Sequence, residues 1–201
     1  MNAATYHDIR NGASSFQKRV VESQKELFDV LGSKQSPNIT FLTCSDSRID
    51  PCSLTGTRAG DLFVIRNAGN IVPETDGSVS GEVASLEFAV QVLKTEHIVV
   101  CGHSDCGAMK GLLKPEACAH LSQVSAWVRQ AQGALVALDG VGDDPLAKLD
   151  DVIAANVHFQ LRNLRKLEFV AEAEAKGTLS LHGWVYDIGS GNVTMLEEGN
   201  G

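Results

Sequence analysis

Apolar residues recur along the chain at two spacings, one typical of helices and one typical of strands. Near the N-terminus, helical spacing joins Phe16, Val20, Leu27 and Leu31. This pattern predicts an amphipathic helix over residues 14–31, because residues three or four apart share one helix face. Ser14 or Ser15 is the expected N-cap, and Gly32 is expected to end the helix.

Short runs rich in β-branched residues predict strands that alternate with helices. The predicted strands cover residues 39–43, 62–65, 97–101, 179–188 and 193–196. Helical spacing predicts further helices over residues 80–94, 105–113, 119–138 and 147–176. This alternation indicates an α/β fold, a mainly parallel sheet covered by helices on both faces. The short turn Gly189–Asn192 predicts an antiparallel C-terminal edge strand, since such turns join antiparallel strands.

The length of the chain fits one domain. The sequence has 201 residues and contains no internal repeat or linker long enough to divide it. We therefore expect a single domain over residues 1–201, in which residues 1–34 form an extended N-terminal helical arm and residues 35–201 form the α/β core.

Composition and charge narrow the possible partners. The formal net charge of -8 and the pI of about 5.2 argue against binding to nucleic acid or to anionic membranes. No apolar run reaches the roughly 18 residues that span a bilayer. The N-terminal residues lack the pattern of a secretory signal, so we expect a cytoplasmic protein. The five cysteines favour free thiols or metal ligands over a disulfide framework.

Potential metal ligands follow two of the predicted strands. Cys44 comes directly after the strand over residues 39–43, and His103 and Cys106 follow the strand over residues 97–101. The carboxyl ends of neighbouring parallel strands meet at one edge of a sheet, where ligands bind. Thiolate and imidazole are preferred zinc ligands, and three of them leave a fourth tetrahedral position open, as in catalytic sites.

Less specific interpretations of these residues stay open. A lone His-x-x-Cys is weak evidence for a metal, and Cys44 by itself is typical of a buried core thiol. A structural zinc site would need a fourth ligand, for which none of the other cysteines is well placed; Cys101 is expected to pack inside the sheet. Asp46 and Arg48 could be a helix cap and a surface ion pair. Alternatively, Arg48 clamps Asp46 so that its carboxylate orients the nucleophile.

Three motifs closely resemble those of the β-class carbonic anhydrases. They are CSDSR at residues 44–48, FVIRNAGN at residues 63–70 and GHSDCG at residues 102–107. The resemblance spans residues 35–113 and extends more weakly to residues 182–187. It implies one Zn²⁺ per chain, a homodimer or a tetramer of dimers, and reversible hydration of CO₂ to bicarbonate and a proton. The implied metal ligands are Cys44, His103 and Cys106, and the implied catalytic residues are Asp46 and Arg48.

The resemblance also implies a substrate site and a subgroup. Gln35 matches a residue that, in plant-like members, hydrogen-bonds the substrate from across the dimer interface. Phe63, Phe88 and Gly107 complete the implied substrate-binding set. Members regulated by bicarbonate carry a Trp where this chain has Phe41, which favours the plant-like subgroup even though Arg66 and Tyr186 resemble other parts of the regulatory site.

Two competing functions remain open at this level. The same scaffold and metal site could hydrolyse another small linear molecule, such as carbon disulfide. The spare cysteines would also suit a zinc-stabilised binding module or a redox thiol protein. The sequence does not decide between dimer and tetramer.

Overall fold

The computed structural model describes residues 3–74, 79–138 and 144–197, and it divides into two compact units, Met1–Gln35 and Ser36–Gly201. The first unit is helical, and none of its helical residues is buried. It consists of helix α1 (Tyr6–Phe16), a π-helical turn (Gln17–Val21), a 3₁₀ turn (Glu22–Gln24) and helix α2 (Lys25–Leu31).

The N-terminal helix begins earlier than the sequence pattern predicts. Thr5 is its N-cap and forms a capping box with Asp8. The expected caps, Ser14 and Ser15, lie inside α1, where their hydroxyls donate to the carbonyls of Arg10 and Gly12. These bonds back to the helix explain why neither serine interrupts it. The predicted end is correct, because α2 stops at Leu31 and the next residue is Gly32.

The second unit is built around a five-stranded sheet. Its strands are β1 (Ile39–Cys44), β2 (Leu62–Asn67), β3 (His97–His103), β4 (Ser180–Tyr186) and β5 (Val193–Leu196). They lie in the order β2-β1-β3-β4-β5. The first four are parallel to one another, and β5 runs antiparallel to β4 at one edge. The prediction of a mainly parallel sheet with an antiparallel C-terminal edge is confirmed.

Helices follow most of the strands. They are α3 (Pro51–Thr55), α4 (Gly81–Glu87) with a π-helical turn (Phe88–Leu93), α5 (Gly107–Leu113), α6 (Pro115–Cys118), α7 (Ser122–Val128) with a 3₁₀ segment (Arg129–Ala137), a 3₁₀ turn (Pro145–Lys148), α8 (Leu149–Lys166) and α9 (Glu168–Ala175). The predicted helix over residues 147–176 breaks at Leu167, whose ψ of 118° is extended. Helix α3 was not predicted, although Asp50 caps it and Pro51 occupies its first turn.

The two faces of the sheet are packed differently. On one face, the large apolar cluster around Leu42, Val100 and Leu181 packs against α4, α8 and α9. On the other face, a smaller cluster that includes Cys101 packs against Leu54 of α3. Cys101 is fully buried, and burial raises the pKa of its thiol to about 12, so it acts as a small apolar core residue as expected.

Glycines allow α8 to approach β3 and β4 closely. A methyl group on Gly183 would lie 2.9 Å from a methyl carbon of Val157 and 3.1 Å from one of Leu161. A methyl group on Gly102 would lie 2.9 Å from Val157. We therefore expect Gly183→Ala to lower the free energy of unfolding by about 1–3 kcal/mol, since a packed interior resists added volume.

Urea unfolding at one fixed protein concentration measures this effect. Gly81→Ala is the matched control, because no atom lies within 4 Å of the position its methyl group would take. If both variants unfold at the same urea concentration, the close packing of α8 on the sheet is not as described.

Candidate metal centre

The parallel pairing of β1 and β3 brings the three predicted ligands together. Thr43 pairs with Cys101, so the two strands end side by side with Cys44 and His103 as their last residues. Cys106 follows three residues later as the N-cap of α5. The ligating atoms of Cys44, His103 and Cys106 all lie within 4.8 Å of one another, and all three residues are buried. This cluster is the predicted zinc site.

The ring of His103 is oriented for metal binding. Its Nδ1 lies 2.9 Å from the carbonyl oxygen of Ser104. A carbonyl can only accept, so Nδ1 carries the proton and Nε2 presents a lone pair. Nε2 is buried without a hydrogen-bond partner. A buried acceptor left in this way is costly, and a metal ion would satisfy it.

The two cysteines form a coupled pair that favours a bound cation. The hydrogen bond with Cys106 is the main cause that lowers the pKa of Cys44, and the N–H of Gly69, 3.3 Å from the Cys44 sulfur, lowers it further. The same Cys44–Cys106 contact, together with burial, raises the pKa of Cys106. Two buried thiols this close cannot both ionise alone. A divalent cation would neutralise both thiolates, and two sulfurs with one imidazole nitrogen match the donor preference of zinc.

Asp46 and Arg48 form a bidentate ion pair beside the ligands. The Nε and Nη2 atoms of Arg48 donate to the two carboxylate oxygens of Asp46 at 2.9 and 2.7 Å. These bonds hold the pKa of Asp46 well below its usual range. One Asp46 oxygen lies 4.0 Å from Nε2 of His103. The site therefore places an ionised, fixed carboxylate beside the three potential metal ligands.

Arg66 anchors the loop that carries Asp46. Its side chain extends from the end of β2 and donates to the carbonyl oxygens of Cys44 at 3.0 Å and of Asp46 at 2.7 Å. The resemblance placed Arg66 only in a regulatory site, and this contact was not predicted. The contact follows from the pairing of Arg66 with Thr43 in the parallel strands β2 and β1. This pairing cannot be seen in the sequence alone.

A buried row of amide side chains on α8 holds a backbone loop next to the metal site. Asn156, Gln160 and Asn163 share one helix face; Asn156 donates to the carbonyl of Gly69, and Gln160 and Asn163 bond the backbone of Val72. These contacts hold the loop after β2, which presents the Gly69 N–H to Cys44. This row was not predicted, although its three amides recur at helical spacing within an apolar pattern.

Phe63, a predicted substrate-binding residue, lies apart from the metal ligands of its own chain. The rings of Phe63 and Phe88 contact each other with centroids 6.2 Å apart. Phe63 pairs with Thr40, which is four residues before Cys44 and therefore roughly 13 Å away along the strand. Gln35 is exposed at the end of the first unit. Gly107 is closer, as the first residue of α5, and the space beside it is open.

Two histidines that are far apart in the sequence contact each other. Nε2 of His182 lies 3.2 Å from Nδ1 of His97. Both residues are on the same face of adjacent parallel strands, a neighbourhood that a linear pattern cannot show. His97 is the first residue of β3, at the end opposite the metal ligands.

Within the ranges that the structure describes, no helix has the length and apolar character needed to cross a membrane.

Comparison with known proteins agrees with this geometry. The family model described as carbonic anhydrase matches residues 39–193. A carbonic anhydrase from Pseudomonas aeruginosa is 44% identical over 192 residues, covering 94% of this chain and 87% of the relative.

Two solved structures show the same fold. The β-carbonic anhydrase CcaA superposes with a TM-score of 0.90 at 38% identity, covering 95% of this chain and 87% of the other. One of two β-carbonic anhydrases from Sordaria macrospora, described as tetrameric, superposes with a TM-score of 0.81 at 29% identity, covering 95% and 96% of the two chains. The family match, the identity over most of the chain and the shared fold establish that this chain belongs to the β-class carbonic anhydrases.

Proposed function

We propose that this protein is a zinc-dependent enzyme that reversibly hydrates CO₂ to bicarbonate and a proton. The observation that carries the proposal is a buried Cys44–His103–Cys106 cluster, which has three protein ligands among the residues that the structure describes and lies beside the ionised Asp46. A fourth protein ligand would have indicated a structural zinc site.

The residues of the chain have distinct roles in this proposal. A bound zinc ion supplies Lewis acidity, which makes water a nucleophile near neutral pH. The Asp46 carboxylate accepts a hydrogen bond from the attacking water and fixes the direction of its lone pair toward the substrate. Arg48 holds that carboxylate by two parallel hydrogen bonds, and Arg66 holds the Asp46 backbone. Because both arginines already hold Asp46 in place, the site does not need to rearrange during the reaction.

The substrate pocket is proposed to form between two copies of the chain. Gln35, Phe63 and Phe88 would contact the substrate of a partner subunit, while Gly107 contacts the substrate in its own. The support is that Phe88 is 40% exposed, although it is a large aromatic residue that contacts Phe63. A homodimer or a tetramer of dimers is therefore expected, and the Sordaria relative is described as tetrameric.

We further propose that the chain belongs to the plant-like subgroup. The support is Gln35 and the presence of Phe41 where regulated members carry Trp. Phe41 is fully buried and packs edge-on against Trp184, with ring centroids 5.9 Å apart. Arg66 is engaged by the carbonyls of Cys44 and Asp46. A cytoplasmic location remains a prediction from the sequence.

Stopped-flow CO₂ hydration by the zinc-loaded full chain tests the proposed activity. We expect zinc at one ion per chain, rapid hydration, and loss of activity after chelation that is restored by zinc. Bound zinc with carbon disulfide hydrolysis and no CO₂ hydration would assign the site to the competing substrate. Zinc without either activity would favour a binding module.

Asp46→Asn separates metal binding from catalysis. We expect the variant to retain one zinc per chain and to lose roughly 10- to 100-fold in kcat, since residues next to a metal site typically contribute this much. Metal analysis and stopped-flow hydration measure the two effects. Asp61→Asn removes another ion-paired aspartate, the partner of Arg58, and should leave both unchanged. Loss of zinc in Asp46→Asn would show that its role is to hold the metal.

The activity should rise with pH above neutrality. Two thiolates donate charge to the metal, so the nucleophile should ionise above the pKa of about 7 known for an all-histidine zinc site. Arg48 lowers the pKa of Asp46, so Asp46 stays charged over this range and adds no second ionisation. We expect kcat to increase along one ionisation curve between about pH 6 and pH 9. A flat profile would contradict this assignment.

A further inference from the structure

Arg48 contacts a second carboxylate as well as Asp46. While Nε and Nη2 bond Asp46, the remaining terminal nitrogen, Nη1, donates to Asp105 at 3.0 Å. The guanidinium group therefore lies between two carboxylates. One comes from the loop after β1 and the other from the loop after β3, so this arginine links the two loops that supply the metal ligands.

The backbone of Asp105 makes this contact possible. Asp105 lies between the ligands His103 and Cys106, and its φ of 61° is left-handed. Asp, Asn and Gly adopt this conformation at lower cost than other residues. Glycine would satisfy the turn equally well, so the turn alone does not require an aspartate. The carboxylate is what this position adds.

Lys110 occupies the other oxygen of Asp105. Its ammonium group, on helix α5, is ion-paired with Asp105 Oδ1, while Arg48 binds Oδ2. Lys110 and Arg48 together hold the pKa of Asp105 below its usual range. Asp46, Arg48, Asp105 and Lys110 thus form a chain of alternating charge, in which Asp105 is fixed from both sides.

A second anchor on Arg48 restricts how Asp46 can move. Within the loop after β1, the Asp46–Arg48 pair is held by its two side-chain bonds and by the backbone N–H of Arg48, which donates to Asp46 Oδ1 at 3.0 Å. One Asp46 oxygen is 4.0 Å from His103 Nε2, so a small pivot would change its position relative to the metal. The bond from Nη1 to Asp105 opposes that pivot.

We propose that Asp105 is a positioning residue that fixes the direction of the Asp46 carboxylate by holding Arg48. This inference deepens the proposed function and rests on it. Asp105 acts through Arg48, which it holds from the loop after β3, and Lys110 supports it.

Two substitutions at position 105 distinguish the effect of the carboxylate from the effect of the turn. Asp105→Gly keeps the left-handed backbone and removes the contact, whereas Asp105→Asn keeps the backbone and one acceptor oxygen. Glu172→Gln is the control, since it removes an exposed carboxylate on α9 that is ion-paired with Lys176. All are tested as the zinc-loaded full chain.

For Asp105→Gly we expect kcat for CO₂ hydration about 3- to 10-fold lower, with KM nearly unchanged and zinc still at one per chain. Asp105→Asn should recover most of the loss, and Glu172→Gln should match the unmodified protein. Wild-type kcat in Asp105→Gly, or an equal loss in the control, would overturn the proposal.

A measurement on Arg48 itself does not depend on activity. The Nε–H of Arg48 can be followed by nitrogen-15 NMR, with its signal assigned through Arg48→Lys. Its hydrogen exchange should be faster in Asp105→Gly than in the unmodified protein and intermediate in Asp105→Asn. Unchanged exchange would overturn the positioning role. If the unmodified protein does not hydrate CO₂, the proposed function fails, and this exchange measurement alone decides whether Asp105 holds Arg48.

Discussion

The parallel pairing of β1 with β3 is the constraint on which the site depends. Because Thr43 lies opposite Cys101, Cys44 and His103 leave the sheet at the same edge, and the short turn after His103 returns Cys106 to them. A shift of one residue in this register would displace one strand end, and the ligand it carries, by about 3.3 Å relative to the other. Helix α8 packs against Gly102 of β3 and Gly183 of β4, and so positions β3 from one face of the sheet.

Hydrogen bonds from neighbouring groups hold the metal ligands and Asp46 in place. The Ser104 carbonyl sets the tautomer of His103, the Gly69 N–H points at Cys44, and amides on α8 hold the loop that carries Gly69. Arg66 and Arg48 fix the backbone and the side chain of Asp46. These hydrogen bonds already restrict the motion of the ligands before metal binding. Less conformational freedom is therefore lost when the metal binds.

Much of this arrangement could be predicted from the sequence, because alternating periodicity specifies a parallel sheet and places Cys44 and His103 at strand ends. What the sequence did not reveal depends on contacts between distant segments. The Arg66 contacts require the β1–β2 register, and the amide row on α8 requires knowing which helix covers β3 and β4. The true start of the N-terminal helix was missed for a local reason, since Ser14 and Ser15 resemble caps but bond back into the helix. The roles assigned to Gln35, Phe63 and Phe88 remain predictions.

The proposed activity requires three protein ligands to hold zinc and to leave one position open. X-ray absorption spectroscopy of the zinc-loaded chain tests this arrangement directly. We expect two sulfurs at about 2.3 Å, one imidazole nitrogen at about 2.0–2.1 Å and one further light atom from solvent. A third sulfur, or a second imidazole in the fourth position, would mean a closed structural site and would contradict an open catalytic one.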